Sequence, residues 1–268
     1  MTKIYVKMSR MGRLKICVSD RCFFPGSAFK SSKKVVRLAQ ELGYEGVEFH
    51  PTWAVWIETL TKGRLSCEAK DIYSFHISWR EDGQRYWQGS WFGKVTLPAY
   101  NLFPFEPFGT KVLQKLEIEY QKPVVIHWQE DFGNFQETYL ELHAPLGMDL
   151  NRVMKALKQV KIQGVVIDTD KFRGWLEKNQ LKEGAVLREL FPYIKEVHFR
   201  FGHREDLDLF SGKIKSKSAR LMKKLVKMGY RGRVVVEMGW PDKSSVEILE
   251  REGFEKVHQG IINWLRKL

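Results

Sequence analysis

Short runs of β-branched and apolar residues recur along the chain, each closed by polar residues and most followed by a helical pattern. They predict strands at 15–19 (KICVS), 46–50 (GVEFH), 73–78 (YSFHIS), 124–128 (VVIHW), 138–143 (TYLELH), 164–169 (GVVIDT), 196–201 (EVHFRF) and 233–238 (RVVVEM). Several are apolar nearly throughout, which is the signature of strands covered on both faces. Between them, Ser31–Leu42 places Val35, Leu38, Ala39 and Leu42 at helical spacing and stops at Gly43. Thr110–Tyr120 repeats the pattern with Val112, Leu113 and Leu116. Asp149 is a capping residue for a helix running to Val160, with Leu150, Val153, Met154 and Leu157 on one face. Helices are also expected at Ser216–Met228 and Phe254–Leu268.

Eight strands with helices between most of them predict a (β/α)8 TIM barrel, and no linker or repeat divides residues 1–268 into more than one domain. Two stretches break the regularity. Residues 79–109 are too rich in Gly, Pro and aromatics for a simple crossover helix, and only QEDFGNFQE joins the fourth strand to the fifth. The helix between strands 4 and 5 is therefore expected to be missing, and an open or distorted barrel stays an alternative.

Composition narrows the field. The 43% hydrophobic and 13% aromatic content excludes a disordered chain. No apolar run approaches the roughly 20 residues needed to span a bilayer, and the N-terminus carries no signal-like stretch, so no membrane partner is expected. Cys17, Cys22 and Cys67 follow no metal or disulfide spacing, which points to a reducing, cytoplasmic setting. The net charge of +13 fits phosphorylated metabolites or nucleic acid. Many of its lysines (Lys33, Lys34, Lys155, Lys158, Lys223, Lys224, Lys227) nevertheless stand where a helix faces water.

The chemistry is concentrated at the strand ends, where a parallel barrel carries its active site. Glu48 and His50, His76, His127, Glu141 and His143, Asp168, His198 and Glu237 close the predicted strands. Burying unpaired charge is costly, so gathering carboxylates and imidazoles at one rim makes physical sense if they share a cation. Glu141, Asp168, His198 and Glu237 stand near the ends of four successive strands. Each also has a plainer reading: Asp168 could cap a helix, and Glu48 could pair with a lysine.

The series GVEFHP, FHISW, VVIHW, YLELH, VVIDTD, VHFRFGHR and VVVEMG resembles the xylose-isomerase-like TIM barrels, which include sugar isomerases, epimerases and endonuclease IV. The resemblance implies a divalent ion (Mn, Mg, Co or Zn) held by Glu141, Asp168, His198 and Glu237. It also implies a substrate contact from Arg204, six residues past His198. His76 and His127 match zinc ligands of the endonuclease IV branch. Two features depart from the pattern. Lys171 stands where relatives carry a histidine after the aspartate, and it could instead bind a substrate phosphate. No Asp-x-His pair follows His198, so a three-zinc cluster would be incomplete.

The implied activity is isomerisation or epimerisation of a small sugar or sugar phosphate. Glu141 and Glu237 would shuttle the proton through an enediolate, while Asp168 and His198 serve only as ligands. Trp128 and Trp240, just past strands 4 and 8, are expected to stack on the sugar. Trp53, Trp56, Trp79, Trp87, Trp91 and Phe92 would form a lid, or else pack on the barrel or on a second subunit of a homo-oligomer. Two alternatives stand beside this reading. One is a metal-dependent phosphodiesterase acting on abasic DNA, with nucleic acid as partner; the other is a non-catalytic barrel whose site has decayed.

Overall fold

A computed structural model describes residues 12–23, 30–50, 53–76, 105–127, 135–143, 149–201, 216–238 and 253–268. Eight strands pair in chain order, all parallel, and close into a barrel. They are β1 (Lys15–Ser19), β2 (Val47–Phe49), β3 (Ile72–His76), β4 (Val124–Ile126), β5 (Thr138–Glu141), β6 (Gly164–Asp168), β7 (Ile194–Phe201) and β8 (Arg233–Met238). The closing seam joins Lys15–Val18 to Arg233–Val236. All eight expected strands are present, and the barrel is closed rather than open.

The helices are α1 (Ser32–Glu41), α2 (Trp53–Lys62), α3 (Phe105–Tyr120), α4 (Leu150–Lys158), α5 (Lys171–Lys178), α6 (Glu183–Leu190), α7 (Lys217–Lys227) and α8 (Phe254–Arg266). Their ends follow local chemistry. Asp149 accepts the Arg152 backbone N–H at 2.8 Å and so caps α4, and Ser216 does the same for α7 through Ala219. Gly229, at φ +101°, ends α7 with paired bonds from its own N–H to Val226 and from Tyr230 to Leu225. An L side chain would strain that left-handed conformation.

No helix is described between β4 and β5, whose Val124–Ile126 and Thr138–Leu140 pair directly. Two helices, α5 and α6, instead fill the β6–β7 connection. Neither was expected from the pattern, and nor was α2. The α2 sequence WAVWIETLTK is dominated by aromatic and β-branched residues of modest helix propensity, and α5 carries Gly174. Tertiary packing overrides that weakness: Trp56, Phe172 and Trp175 are buried in the main core. Trp56 therefore packs under a helix and forms no lid. Trp79, Trp87, Trp91 and Phe92 lie outside the described residues, as does the Trp53 side chain.

The main apolar core lies between barrel and helices. Val125, Tyr139 and Val166 form a separate small cluster on the inward-facing positions of β4, β5 and β6. Lys33, Lys34, Lys155, Lys158, Lys223 and Lys227 are exposed, as the solvated-shell reading expects. Among the described residues no helix is long and apolar enough to cross a membrane.

Candidate metal centre

Side chains alternate across a strand, so the residues that share the barrel interior are two apart. Three strands carry the same spacing: Glu48-Phe49-His50 at β2, Glu141-Leu142-His143 at β5 and Glu196-Val197-His198 on β7. Ser74-Phe75-His76 on β3 follows it with a hydroxyl. The intervening Phe49, Phe75, Leu142 and Val197 point outward into the main core, which fixes the polar members inward. Register then sets their heights. Glu48 is level with Ser19 and Ser74, Asp168 with His198, and Glu237 with Arg200.

The result is a buried polar interior at the carboxyl end of the barrel. Asp20, Glu48, Glu141, Asp168, Glu196 and Glu237 are all buried, as are His50, His76, His127, His143 and His198. The tightest constellation is a triangle. His76 Nε2, His127 Nε2 and Glu141 Oε2 lie 3.1 Å from one another along each side. Beside it, His198 Nδ1 lies 3.5 Å from the same Glu141 Oε2 and 3.4 Å from Glu237 Oε1. Glu141 is thus common to both groupings. Three sets of ligand atoms could each hold an ion: Glu48–His50–His76–Glu237, His76–His127–Glu141 and Glu48–Glu196–His198, with the atoms of each set within 4.8 Å of one another.

The donor set fits a divalent cation. Imidazole nitrogens mixed with carboxylate oxygens suit zinc and its neighbours. Sides of 3.1 Å between the three ligand atoms are compatible with a shared ion at ordinary zinc–ligand distances of about 2 Å. Two imidazole nitrogens facing each other and one carboxylate need a shared cation or protons to be stable. His198 Nδ1, Asp168 Oδ2 and Glu196 Oε2 are buried yet form no hydrogen bond.

Without such a cation the charge problem is met by protons and by Lys171. Burial opposes charging His76, but the facing Glu48 and Glu141 pull it up to about 9. Burial likewise opposes charge on His198, but Glu48 and Glu237 drive it well above the usual imidazole range. Burial would raise the Glu48 and Glu141 carboxyls, yet His198 with His76 holds the first, and Lys171 with His127 the second, well below the carboxylate range. Glu196, by contrast, is pushed up by burial. His143, with neither ring nitrogen hydrogen-bonded, is pushed by burial to about 3 and stays neutral.

The four residues read as ligands from the sequence are brought together unequally. Glu141, His198 and Glu237 meet. Asp168 stands beside them but faces Lys171: Lys171 Nζ lies 2.8 Å from Glu141 Oε1 and 3.4 Å from Asp168 Oδ2. The other Asp168 oxygen accepts the backbone N–H groups of Asp170 and Lys171, so this aspartate also organises the start of α5. Arg200 Nη1 lies 3.6 Å from Asp168 Oδ2. His76 and His127 do join Glu141. Arg204, Trp128 and Trp240 lie outside the described residues. Sequence reasoning placed Glu48 and His50 at the rim without giving them a role, and it did not single out Asp20, Glu196 or Arg200, although the Glu-x-His spacing of Glu196 and His198 was there to be read.

No protein-family model matches the sequence, and no curated protein does. Solved structures do match. A 3-keto-D-glucoside 4-epimerase from E. coli is 14% identical over 96% of this chain and 100% of that one, with a TM-score of 0.52. An L-ribulose 3-epimerase is 10% identical over 95% of each chain, with a TM-score of 0.51. A D-allulose 3-epimerase from Methylomonas sp. is 11% identical over 96% of this chain and 99% of that one, with a TM-score of 0.50. The chain has the barrel fold of these sugar epimerases. In this barrel the polar cluster occupies the carboxyl ends of the strands, where parallel (β/α)8 barrels carry their sites.

Proposed function

We propose that this protein is a divalent-metal-dependent isomerase or epimerase of a small keto sugar or sugar phosphate. The observation that carries the reading is the pair of glutamates from β5 and β8 on either side of one imidazole, with His198 Nδ1 3.5 Å from Glu141 and 3.4 Å from Glu237. Likeness of fold adds the substrate class. The names of the matched proteins describe epimerases of a 3-keto-glucoside, an allulose and a ribulose, and each inverts a carbon next to a carbonyl.

Glu141, His198, Glu237 and Asp168 would hold the ion, and His76 and His127, which meet the same Glu141 oxygen, offer further ligand nitrogens. When bound, the ion supplies Lewis-acid polarisation of the substrate carbonyl, which acidifies the neighbouring C–H. Glu237, at the rim, takes that proton to give an enediolate; Glu141 returns one that it draws from the Lys171 ammonium 2.8 Å away, and exchange with solvent at the rim restores Glu237 and Lys171 to their starting states. The Lys171 ammonium keeps Glu141 ionised and lies where an anionic or hydroxylated substrate group would meet it. Closed barrel walls keep water from the enediolate.

The test is proton exchange. Protein loaded with zinc or manganese is incubated with D-fructose, D-allulose and L-ribulose in D2O, and deuterium next to the carbonyl is followed by NMR. Exchange is expected with at least one ketose and should fall by about 100-fold or more in Glu237→Gln. No exchange with any ketose by metal-loaded protein would overturn the reading.

One observation favours a second reading, a metal-dependent phosphodiesterase. The 3.1 Å triangle of His76, His127 and Glu141 adjoins the Glu141–His198–Glu237 grouping, and two neighbouring ions sharing a carboxylate suit in-line displacement at phosphorus. It requires two or more ions per chain, salt-sensitive DNA binding and cleavage at abasic sites.

A further inference from the structure

Two of the imidazoles at this centre share one carboxylate on their other side. Glu48 is fully buried on β2, and its two oxygens reach different imidazoles. Oε1 is 3.3 Å from His76 Nδ1, and Oε2 is 3.3 Å from His198 Nε2. The nitrogens on the other side of those rings, His76 Nε2 and His198 Nδ1, are the ones that face Glu141. Ser74 Oγ lies 3.2 Å from Glu48 Oε2 and 3.3 Å from Glu196 Oε1, and Glu196 Oε1 is itself 3.0 Å from His198 Nε2.

We propose that Glu48 is a positioning residue that sets the tautomers of two metal-binding histidines at once, so that His76 presents Nε2 and His198 presents Nδ1 to the cation. An ionised carboxylate only accepts hydrogen bonds, so the ring nitrogens it touches carry protons, and in the metal-bound form the opposite nitrogens are the ones left to offer lone pairs. Such outer carboxylates orient imidazole ligands and raise their basicity. Here a single carboxylate serves two ligands on different strands, because the register places Glu48 beside Ser74 and its two oxygens diverge towards β3 and β7. Ser74 and Glu196 brace this arrangement. His50 shows the same pairing separately, with Nδ1 2.8 Å from Asp20 Oδ1. Glutamine cannot replace Glu48, since its amide offers one acceptor and one donor. The amide could then accept from only one of the two rings; with its oxygen towards His76, His198 Nε2 would be left to Glu196 Oε1 alone.

The inference rests on the proposed cation site, and the experiment separates the two. Protein labelled with 15N-histidine is compared with and without zinc by long-range 1H–15N correlation, while zinc affinity is measured by competition with a chelator. Protons on His76 Nδ1 and His198 Nε2 are expected in both states of the wild-type protein, with resonances displaced in Glu48→Gln. Zinc affinity should fall about 10–100-fold in that variant. Glu48→Asp, a carboxylate on a shorter stem, should recover part of the loss. A bare nitrogen at either position in the wild-type zinc form, or unchanged histidine signals in Glu48→Gln, would overturn the role of Glu48, and the wild-type spectrum decides this even if the variant fails to fold. Absence of zinc uptake would instead refute the cation site, and with it any role of Glu48 towards a ligand.

Discussion

Lys171 offers a test of the electrostatics at this centre. Replacing it with methionine keeps the aliphatic stem but removes the ammonium that lies 2.8 Å from Glu141 Oε1 and 3.4 Å from Asp168 Oδ2. At 2.8 Å and an effective dielectric of about 20, the gross attraction to Glu141 is about 6 kcal/mol. Part of that offsets the desolvation of both charges, and breaking such a buried pair typically costs about 3–5 kcal/mol. A quarter of the Lys171 side chain reaches solvent, which puts the expected loss at the lower end, about 3 kcal/mol. For a chain of this size that corresponds to a melting temperature lower by about 6–12 °C. The assay is thermal unfolding in chelator, repeated with excess zinc. Zinc should narrow the gap between variant and wild type, because a divalent ion on the Oε2 side supplies positive charge that Lys171→Met has lost. The double variant Lys171→Met/Glu141→Gln should recover at least half of the deficit, since no orphaned carboxylate remains. A deficit below 1 kcal/mol in chelator, or one that widens with zinc, would refute the argument that Lys171 stands in for metal charge at Glu141.

Two further outcomes follow from sites away from the centre. His258 on α8 is buried among Phe23, Tyr44 and Phe254, and burial lowers it to about 4, well below its unfolded value near 6.5. The unfolded chain therefore binds a proton that the folded one refuses. Stability is kept above about pH 6.5 and declines by about 3 kcal/mol as pH falls to about 4. In His258→Gln that part of the slope should disappear from urea titrations at pH 7.5 and pH 5, and an unchanged slope would refute it. Asp149→Ala removes the 2.8 Å cap on the Arg152 N–H and should cost about 1 kcal/mol in the same assay. Asp149→Asn should retain most of it.

Much of the fold was legible along the chain because the cues are local. Each strand of the closed barrel coincides with an apolar run, and Gly43 and Gly229, which end α1 and α7, both take positive φ as helix-stopping glycines should. The direct pairing of β4 with β5 and the shortness of the connection between them agree with the chain length there. Helices α2 and α5 were not legible, because their stability comes from burying Trp56, Phe172 and Trp175 rather than from residues that favour helix, whereas α6 (EGAVLREL) is rich in helix formers and too short to stand out by its pattern.

The site divides along the same line. Sequence by itself determined which residue types gather at the barrel mouth, since period-two spacing on parallel strands sends Glu141, Asp168, His198 and Glu237 to one end regardless of detail. Only the tertiary structure decided who faces whom. Register and closure bring His76 and His127 to Glu141 across the barrel, set Glu48 beneath two imidazoles, and let the Lys171 side chain reach from the first turn of α5 into the gap between Glu141 and Asp168. Those contacts span strands far apart in the chain. Their partners are chosen by distances of a few ångströms in a medium of low dielectric, where each charge must find an opposite one, and spacing along a single strand carries no such information.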